Sequence, residues 1–478
     1  MDLSSLTIKK LAQGLGEKEF SCEEMIGAYL GNITKNDKTI NAFMSVFDKE
    51  ALAAAGEIDA LISRKEKLPA LAGVPVAVKD NILVKGKRTT AGSKVLDNYI
   101  APYDATVVEK LKREGAIIIG KTNMDEFAMG ASGEHSAYGL TQNPNNPDYA
   151  PGGSSSGSAA AVSADMCLCA LGSDTAGSVR QPASICGMVG MKPTYGVVSR
   201  YGLIAMASSL DQIGPLAKNV EDAKILFDII KGRDKMDSTS CETGRELEEA
   251  PKEIKNLKIG LPEECSGRGI QKEVRDILEG SIKKLAGKGI KIENISLPHV
   301  GYGVSCYYII TPAEVSSNLA RYDGIRYGMS KSGDELLDVY LNTRGEYLGE
   351  EVRRRIMLGT YILSAGYYDA YYLRAQKVRT KIIEDFRAAF KKVDLILTPT
   401  LPTLPFKLGE RLNDPLAMYL TDLLTVPANL AGLPAISIPA GEAGGLAVGL
   451  QFIAPHFQEE SLFSAANFFE NEIAPRHS

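Results

Sequence analysis

Three short stretches carry residue types that can move protons and attack carbonyl groups. The first is Gly73-Val-Pro-Val-Ala-Val-Lys79-Asp80-Asn81, which sets a lysine at the end of an apolar run. If the fold buries that lysine, desolvation disfavours its ammonium, and the free amine becomes a general base near neutral pH. The second is Pro151-Gly-Gly-Ser154-Ser-Ser-Gly-Ser158. Its glycines admit backbone conformations closed to other residues, and its serines supply short hydroxyl relays. The third is Gly172-Ser-Asp-Thr175-Ala176-Gly177-Ser178-Val-Arg-Gln-Pro-Ala183. There Ser178 follows a strand and a turn, and the small residues ahead of it leave backbone N–H groups free to hold an oxyanion. Each stretch also has an ordinary reading: a solvated strand-end lysine with a packed stem, a flexible linker, a capping serine.

Together the three say more than each alone. Ser154 and Ser178 are 24 residues apart, with one helix and one strand between them, so both turns can lie at one edge of a sheet. Histidine is scarce: only His135, His299, His456 and His477 are present. A Ser-His-Asp hydrolase would have to draw on one of those four. His135, in Gly133-Glu-His-Ser136, reads as a surface-loop residue.

The elements around these stretches alternate in type. Residues 1–66 read as helical, with Ser21 and Glu24 forming a capping box and an Ala-rich helix over 51–62. From residue 71 short apolar runs alternate with helices. Strands are expected at 74–78, 116–119 and 166–171, and helices after Asp104, as N-cap, and from 156 to 163. Further strands are expected at 257–261, 290–295, 395–397, 435–439 and 447–452, with Gly444-Gly445 as a turn. Residues 350–390 read as one long helix or two joined. Strands and helices in alternation argue for an α/β sheet covered on both faces.

Two motif matches lack their mechanism. Residues 115–122, Gly-Ala-Ile-Ile-Ile-Gly-Lys-Thr, fit the phosphate-loop expression, but Ala-Ile-Ile-Ile is a strand interior that cannot curl its N–H groups around phosphate. Residues 153–157 fit the GxSxG elbow, which needs a strand directly before it. Here an Asn- and Pro-rich loop precedes.

Residues 152–183 resemble the amidase signature, with no break in its spacing. The resemblance implies a single large α/β domain, a central mixed β-sheet flanked by helices on both faces. It implies Ser178 as nucleophile, Lys79 as ultimate base, and Ser154 as a bridging serine that follows a non-proline cis peptide. It also implies an oxyanion hole from the backbone of Thr175, Ala176, Gly177 and Ser178. Ala176 stands where the family usually has glycine; its methyl restricts the backbone but removes no donor. Ser-Ser-Lys chemistry needs no imidazole.

Four further stretches narrow the resemblance: residues 121–130 (Lys-Thr-Asn-Met-Asp-Glu-Phe-Ala-Met-Gly), 321–328, 366–372 and 422–434. They are similar to the A-subunit family of the glutamyl/aspartyl-tRNA amidotransferases. That implies hydrolysis of glutamine, with ammonia passed to a B subunit that activates misacylated tRNA using ATP and Mg2+. A small C subunit completes a heterotrimer, and this chain itself has no cofactor and no metal. Free glutamine calls for an arginine fork and a carboxylate. Arg355 and Asp422 match the family positions for those roles, with Tyr308 nearby and Met129 and Ser132 expected to line the pocket near Lys79. Arg353, Arg354 and Arg355 point about 100° apart on a helix, so at most two face the pocket, and a solvated face is the alternative reading. The alternative function is a stand-alone amidase acting on small apolar or aryl amides.

Composition bounds the rest. At 478 residues the length allows roughly three domains, although large α/β sheets reach this size as one. The expected organisation is one amidase domain over 1–478: a helical part at 1–66, a catalytic core at 71–237, an exposed polar connection at 238–255, and the rest of the sheet with the glutamine pocket at 256–478. Lysine and arginine total 54 against 59 acidic residues, a net charge of −5, which argues against gripping a phosphate backbone unaided. The uncharged runs at 294–313 and 423–441 carry Pro, Asn and Ser and do not read as membrane spans. The first ten residues have no apolar signal core. Seven scattered cysteines without a CxxC pair suit a reduced, cytoplasmic compartment.

Overall fold

Runs such as Val-Ala-Val and Ile-Ile-Ile have no polar side, so as strands they must be covered on both faces. The computed structural model, which describes residues 2–242, 254–265, 267 and 269–474, gathers such runs into one eleven-stranded sheet. In chain order the strands are β1 (Phe43–Val46), β2 (Pro75–Lys79), β3 (Ile117–Thr122), β4 (Cys169–Asp174), β5 (Val189–Lys192) and β6 (Gln212–Ala217). They continue with β7 (Lys258–Pro262), β8 (Lys291–Ile295), β9 (Leu395–Pro399), β10 (Ala435–Ala443) and β11 (Leu446–Ile453). Their order across the sheet is β1-β3-β2-β4-β6-β5-β10-β11-β9-β7-β8. The β3-β2-β4 and β9-β7-β8 groups are parallel and the other neighbours antiparallel, so the sheet is mixed as expected.

Alternate residues of one strand enter different cores, because successive side chains point to opposite faces. Leu395 and Leu397 of β9 pack with Phe452 and with Phe463 and Phe469 of the helix Glu459–Glu472. Ile396 and Ile453 pack on the other face with Ile310, Ile382 and Phe386, from the helices Gly303–Asn318 and Arg374–Ala389. Each large apolar side chain so buried contributes about 1.5–3 kcal/mol. Helices therefore cover both faces.

Local signals explain several boundaries. Ser21 Oγ accepts the Glu24 N–H at 3.0 Å and Glu24 accepts the Ser21 N–H at 2.8 Å, closing the expected capping box. The helix Cys22–Ile40 ends at Asn41, in the left-handed region at φ 55°. Gly444 and Gly445, both at positive φ, turn β10 into β11.

Two expectations need correction. The segment 1–66 is not wholly helical: Phe43–Val46 is an edge strand paired antiparallel with β3, too short to show a period in sequence. Asp104 does not cap the helix Thr106–Arg113, whose N-cap is Ala105; the Asp104 carboxylate instead accepts the Lys85 N–H at 2.7 Å and Lys112 Nζ at 2.8 Å. Of the two alternatives for residues 350–390, the structure takes two joined helices, Glu350–Leu363 and Arg374–Ala389, connected through Gly366 and a π-helical turn at Tyr368–Leu373. The expected connection at 238–255 lies largely outside the described residues, as does His477. Among the described residues no helix is long and apolar enough to cross a membrane. Residues 115–122 supply β3, where Lys121 is buried against Asp80 at 2.9 Å.

Parallel pairing of β2 with β4 sets Val78 opposite Leu171. That register brings Lys79 and Ser173 to the same end of the sheet, where the loop ahead of the helix Ser156–Ser163 also arrives.

Candidate active site

Lys79 is the last residue of β2 and is 0% exposed. Four oxygens surround its Nζ: Ser154 Oγ at 2.7 Å, Ser155 Oγ at 2.9 Å, Ser173 Oγ at 3.0 Å and the Ser173 carbonyl at 3.2 Å. Burial pulls its ammonium down to about 7, against the raising influence of Asp125, Asp174 and Asp211. A neutral amine is therefore accessible in the physiological range.

The serine loop is held against this lysine by its own backbone. The Gly153–Ser154 peptide bond is cis. Asp125 lies against Gly153 so closely that a Cβ there would sit 2.0 Å from its Oδ2, which only glycine avoids. The same carboxylate accepts the N–H groups of Gly133, at 3.1 Å, and His135, at 2.9 Å. The Ser155 N–H donates to the Ser178 carbonyl at 3.1 Å, which ties this loop to the Ser178 turn. Ser154 is fully buried, whereas Ser178 is 7% exposed and so is the serine nearer to an incoming ligand.

A buried ion pair shapes the Ser178 turn. Arg180 donates to both oxygens of Asp174, at 3.1 and 3.2 Å. Its other donors meet Gln451 at 2.8 Å, Asn429 at 2.5 Å and the Thr425 carbonyl at 3.2 Å. Burial alone would raise the Asp174 carboxyl, but the Arg180 charge and the Asn429 hydrogen bond hold it at about 2. Asp174 also accepts the Gly177 N–H at 2.8 Å. Of the four N–H groups expected to face an oxyanion, that of Gly177 is thus occupied. Among the described residues, those of Thr175, Ala176 and Ser178 have no acceptor. Gly177 adopts φ 129°, and a Cβ there would meet Thr425 Oγ1 at 2.4 Å.

The expected substrate group is contiguous with this turn. Gln181 donates to Asp422 Oδ1 at 2.7 Å, and the Tyr308 hydroxyl donates to Asp422 Oδ2 at 2.8 Å. Burial lifts the Asp422 carboxyl to about 6, with Gln181, Tyr308 and Arg355 opposing. Tyr308 stacks on Tyr419 with ring centroids 3.8 Å apart, and the Arg355 guanidinium lies 5.2 and 5.6 Å from the two rings. Of the three consecutive arginines only Arg355 is buried; Arg353 is exposed, and Arg354 pairs with Glu350 and Glu351. Arg355 Nε donates to Glu351 at 2.8 Å, while its two terminal nitrogens have no acceptor among the described residues. Ser132 packs behind Gly153. Met129 borders a cavity of about 350 Å³ together with Glu126, His135, Glu351 and Arg354, so His135 is half-buried at a cavity edge and not a plain surface residue.

Sequence reasoning passed over Ser155, Ser173, Asp125, Arg180 and Gln181, although all lie inside stretches it quoted. Glu351 could have been found from its i,i+4 spacing to Arg355. Thr425 was likewise passed over inside the quoted stretch 422–434, whereas Tyr419 lies outside every quoted stretch and meets the site only through the fold. Among the described residues no cluster of His, Cys, Asp and Glu is arranged to hold a metal ion.

Comparison with known proteins gives the same picture of kinship. The Amidase family model matches residues 24–463. The A subunit of a glutamyl-tRNA(Gln) amidotransferase from Koribacter versatilis is 53% identical over 478 residues, covering 99% of this chain and 100% of that one. The crystal structure of the corresponding A subunit from Thermotoga maritima is 45% identical, with a TM-score of 0.82 over 100% of this chain and 97% of that one. The native peptide amidase from Stenotrophomonas maltophilia is 28% identical, with a TM-score of 0.82 over 99% of this chain and 98% of that one. The chain belongs to the amidase family.

Proposed function

We propose that this chain is the glutaminase subunit of a tRNA-dependent amidotransferase and that Lys79, Ser154 and Ser178 carry its chemistry. Neutral Lys79 takes the proton of Ser154 as Ser154 takes that of Ser178. Ser178 Oγ attacks the side-chain carbonyl of glutamine, and the oxyanion is held by the N–H groups of Thr175, Ala176 and Ser178. The proton returns through Ser154 to the leaving nitrogen, ammonia departs, and water hydrolyses the glutamyl ester.

The observation that carries the glutamine reading is one buried cluster holding both charges that a free amino acid needs. Asp422, tethered to Gln181 three residues past Ser178, would take the α-ammonium, with Tyr308 fixing its orientation. The unfilled fork of Arg355, stacked on the tyrosines, would take the α-carboxylate. In this reading Met129 and Ser132 would line the pocket on the side near Lys79. An apolar or aryl amide has no use for two buried charges, which cost free energy unless a ligand completes them.

In this reading the ammonia passes to a B subunit that activates Glu-tRNA(Gln) or Asp-tRNA(Asn) in the cytoplasm, with a C subunit bracing the two. ATP and Mg2+ belong to the B subunit; this chain uses no cofactor. The test is ammonia release from glutamine, asparagine and an aryl amide, with and without co-expressed B and C subunits. Glutamine turnover enhanced by the partners supports the reading. Partner-independent turnover of the aryl amide with glutamine ignored overturns it.

A further inference from the structure

The Ser173 hydroxyl sits between two nitrogen donors, Lys79 Nζ at 3.0 Å and Asn81 Nδ2 at 2.9 Å. Among the described residues its own proton has no oxygen acceptor. Beside it, Asn81 is 3% exposed, and its Oδ1 is buried without a hydrogen-bond partner. A buried polar atom left unpaired is costly, and Asn81 Oδ1 lies on a side chain that touches the Ser173 hydroxyl, whose proton lacks an acceptor.

Counting protons at Lys79 links them. A neutral amine has two N–H groups and one lone pair. Ser155 Oγ already donates to the Ser173 carbonyl at 3.3 Å, so toward Lys79 it acts as acceptor. The Ser173 carbonyl, the longest of the four contacts at 3.2 Å, can share an N–H with the hydroxyl of the same residue. The second N–H and the lone pair are therefore left for Ser154 Oγ and the Ser173 side. Proton withdrawal from Ser154 needs the lone pair on Ser154, so Ser173 must accept from Lys79 and pass its own proton elsewhere. Asn81 Oδ1 can take that proton once the carboxamide makes a half-turn. With Nδ2 on Ser173 instead, the Ser173 proton points at Lys79 and competes for the lone pair.

We propose that Asn81 is a positioning residue: its carboxamide decides whether Ser173 donates to Lys79 or accepts from it, and so whether the Lys79 lone pair faces Ser154. The inference rests on the Ser-Ser-Lys reading above. The Asn81 backbone is fixed, since its carbonyl accepts the Ile204 N–H at 2.8 Å, so only the side chain turns. The other charges around Lys79 are Asp125, Asp174 at the end of β4 and Asp211 ahead of β6, with the Lys121–Asp80 pair alongside. Changing Asn81 leaves all of them in place.

The experiment measures the rate at which a fluorophosphonate labels Ser178 in the full-length chain from about pH 5 to about pH 10, for wild type, Asn81→Leu and Asn81→Asp. General-base assistance is worth about 10²-fold or more, so Asn81→Leu should lower the high-pH plateau by about that factor with glutamine KM unchanged. Asn81→Asp only accepts; it should keep a plateau within about threefold of wild type, while its charge moves the midpoint up by about one pH unit. Thermal unfolding reports whether each variant folds, and if Asn81→Leu does not, Asn81→Asp decides alone. Equal plateaus and midpoints for wild type and the folded variants would overturn the role of Asn81 and leave the Ser-Ser-Lys reading standing. So would an Asn81→Asp plateau depressed as far as that of Asn81→Leu. A wild type that is not labelled at Ser178 removes both.

Discussion

Arg180→Leu is expected to lower the melting temperature by about 3–5 °C and to loosen the Ser178 turn. The Arg180 guanidinium is fully buried and shares Asp174 with the Gly177 and Asn429 donors. Leucine fills part of the space but leaves a buried carboxylate without its counter-charge. Breaking one side of such a pair costs about 3–5 kcal/mol. Unfolding entropy of about 2.1 cal/mol/K per residue over 478 residues is about 1 kcal/mol/K, which converts that cost to the stated shift. The carboxyl is lowered from 3.8 to about 2, worth on the order of 2 kcal/mol and so of the same order. Because the folded value lies below the unfolded one, this stabilisation is present above pH 3.8 and fades as pH falls toward about 2. Calorimetry of wild type and variant at neutral and at acid pH reads both. The difference should be full near neutrality and shrink below about pH 4. A variant melting within about 1 °C of wild type at neutral pH would refute the reasoning. So would a difference that acid leaves untouched.

Acylation of Ser178 should rise with pH through about 7, since the proposed mechanism uses Lys79 as the neutral amine. At pH 7.5 about three-quarters of Lys79 is neutral, against about 0.1% for an ordinary lysine; a rate still climbing linearly above about pH 9 would contradict this. Asp422 is raised to about 6, so glutamine KM should increase as pH drops below that value and the carboxylate gains a proton, with kcat following Lys79 instead. Arg355→Lys and Asp422→Asn should each raise glutamine KM by about tenfold or more and leave fluorophosphonate labelling of Ser178 near wild type. Loss of labelling with unchanged KM would show that these residues serve the turn and not the substrate.

Eight of the eleven strands were legible because they are apolar runs bounded by glycine and proline, while β1, β5 and β6 were not anticipated. Lys79, the serine loop and the Ser178 turn were legible because each sits within a few residues of a strand or helix end. β1 was missed because four residues at a sheet edge carry no period and owe their conformation to pairing with β3. The Asp104 cap was misread because its carboxylate had a better use, a backbone donor 19 residues away. Within the site, closeness in sequence set what could be read. Ser155 lies next to Ser154 and shares its loop. The contacts of Asn81 with Ser173, Tyr419 with Glu351 and Gln181 with Asp422 span 92, 68 and 241 residues, and only the packed fold brings them together. Helix spacing left the three consecutive arginines open and the resemblance chose Arg355; the helix Glu350–Leu363 turns that guanidinium onto the tyrosine stack.

The most direct test of the central claim is ammonia release from glutamine by the chain co-expressed with the proposed B and C subunits, compared with the same complex carrying Ser178→Ala. The account predicts steady release by wild type and a loss of at least about 10³-fold in the variant, with assembly of the complex unchanged. Glutamine-dependent ammonia release that persists in Ser178→Ala would contradict it.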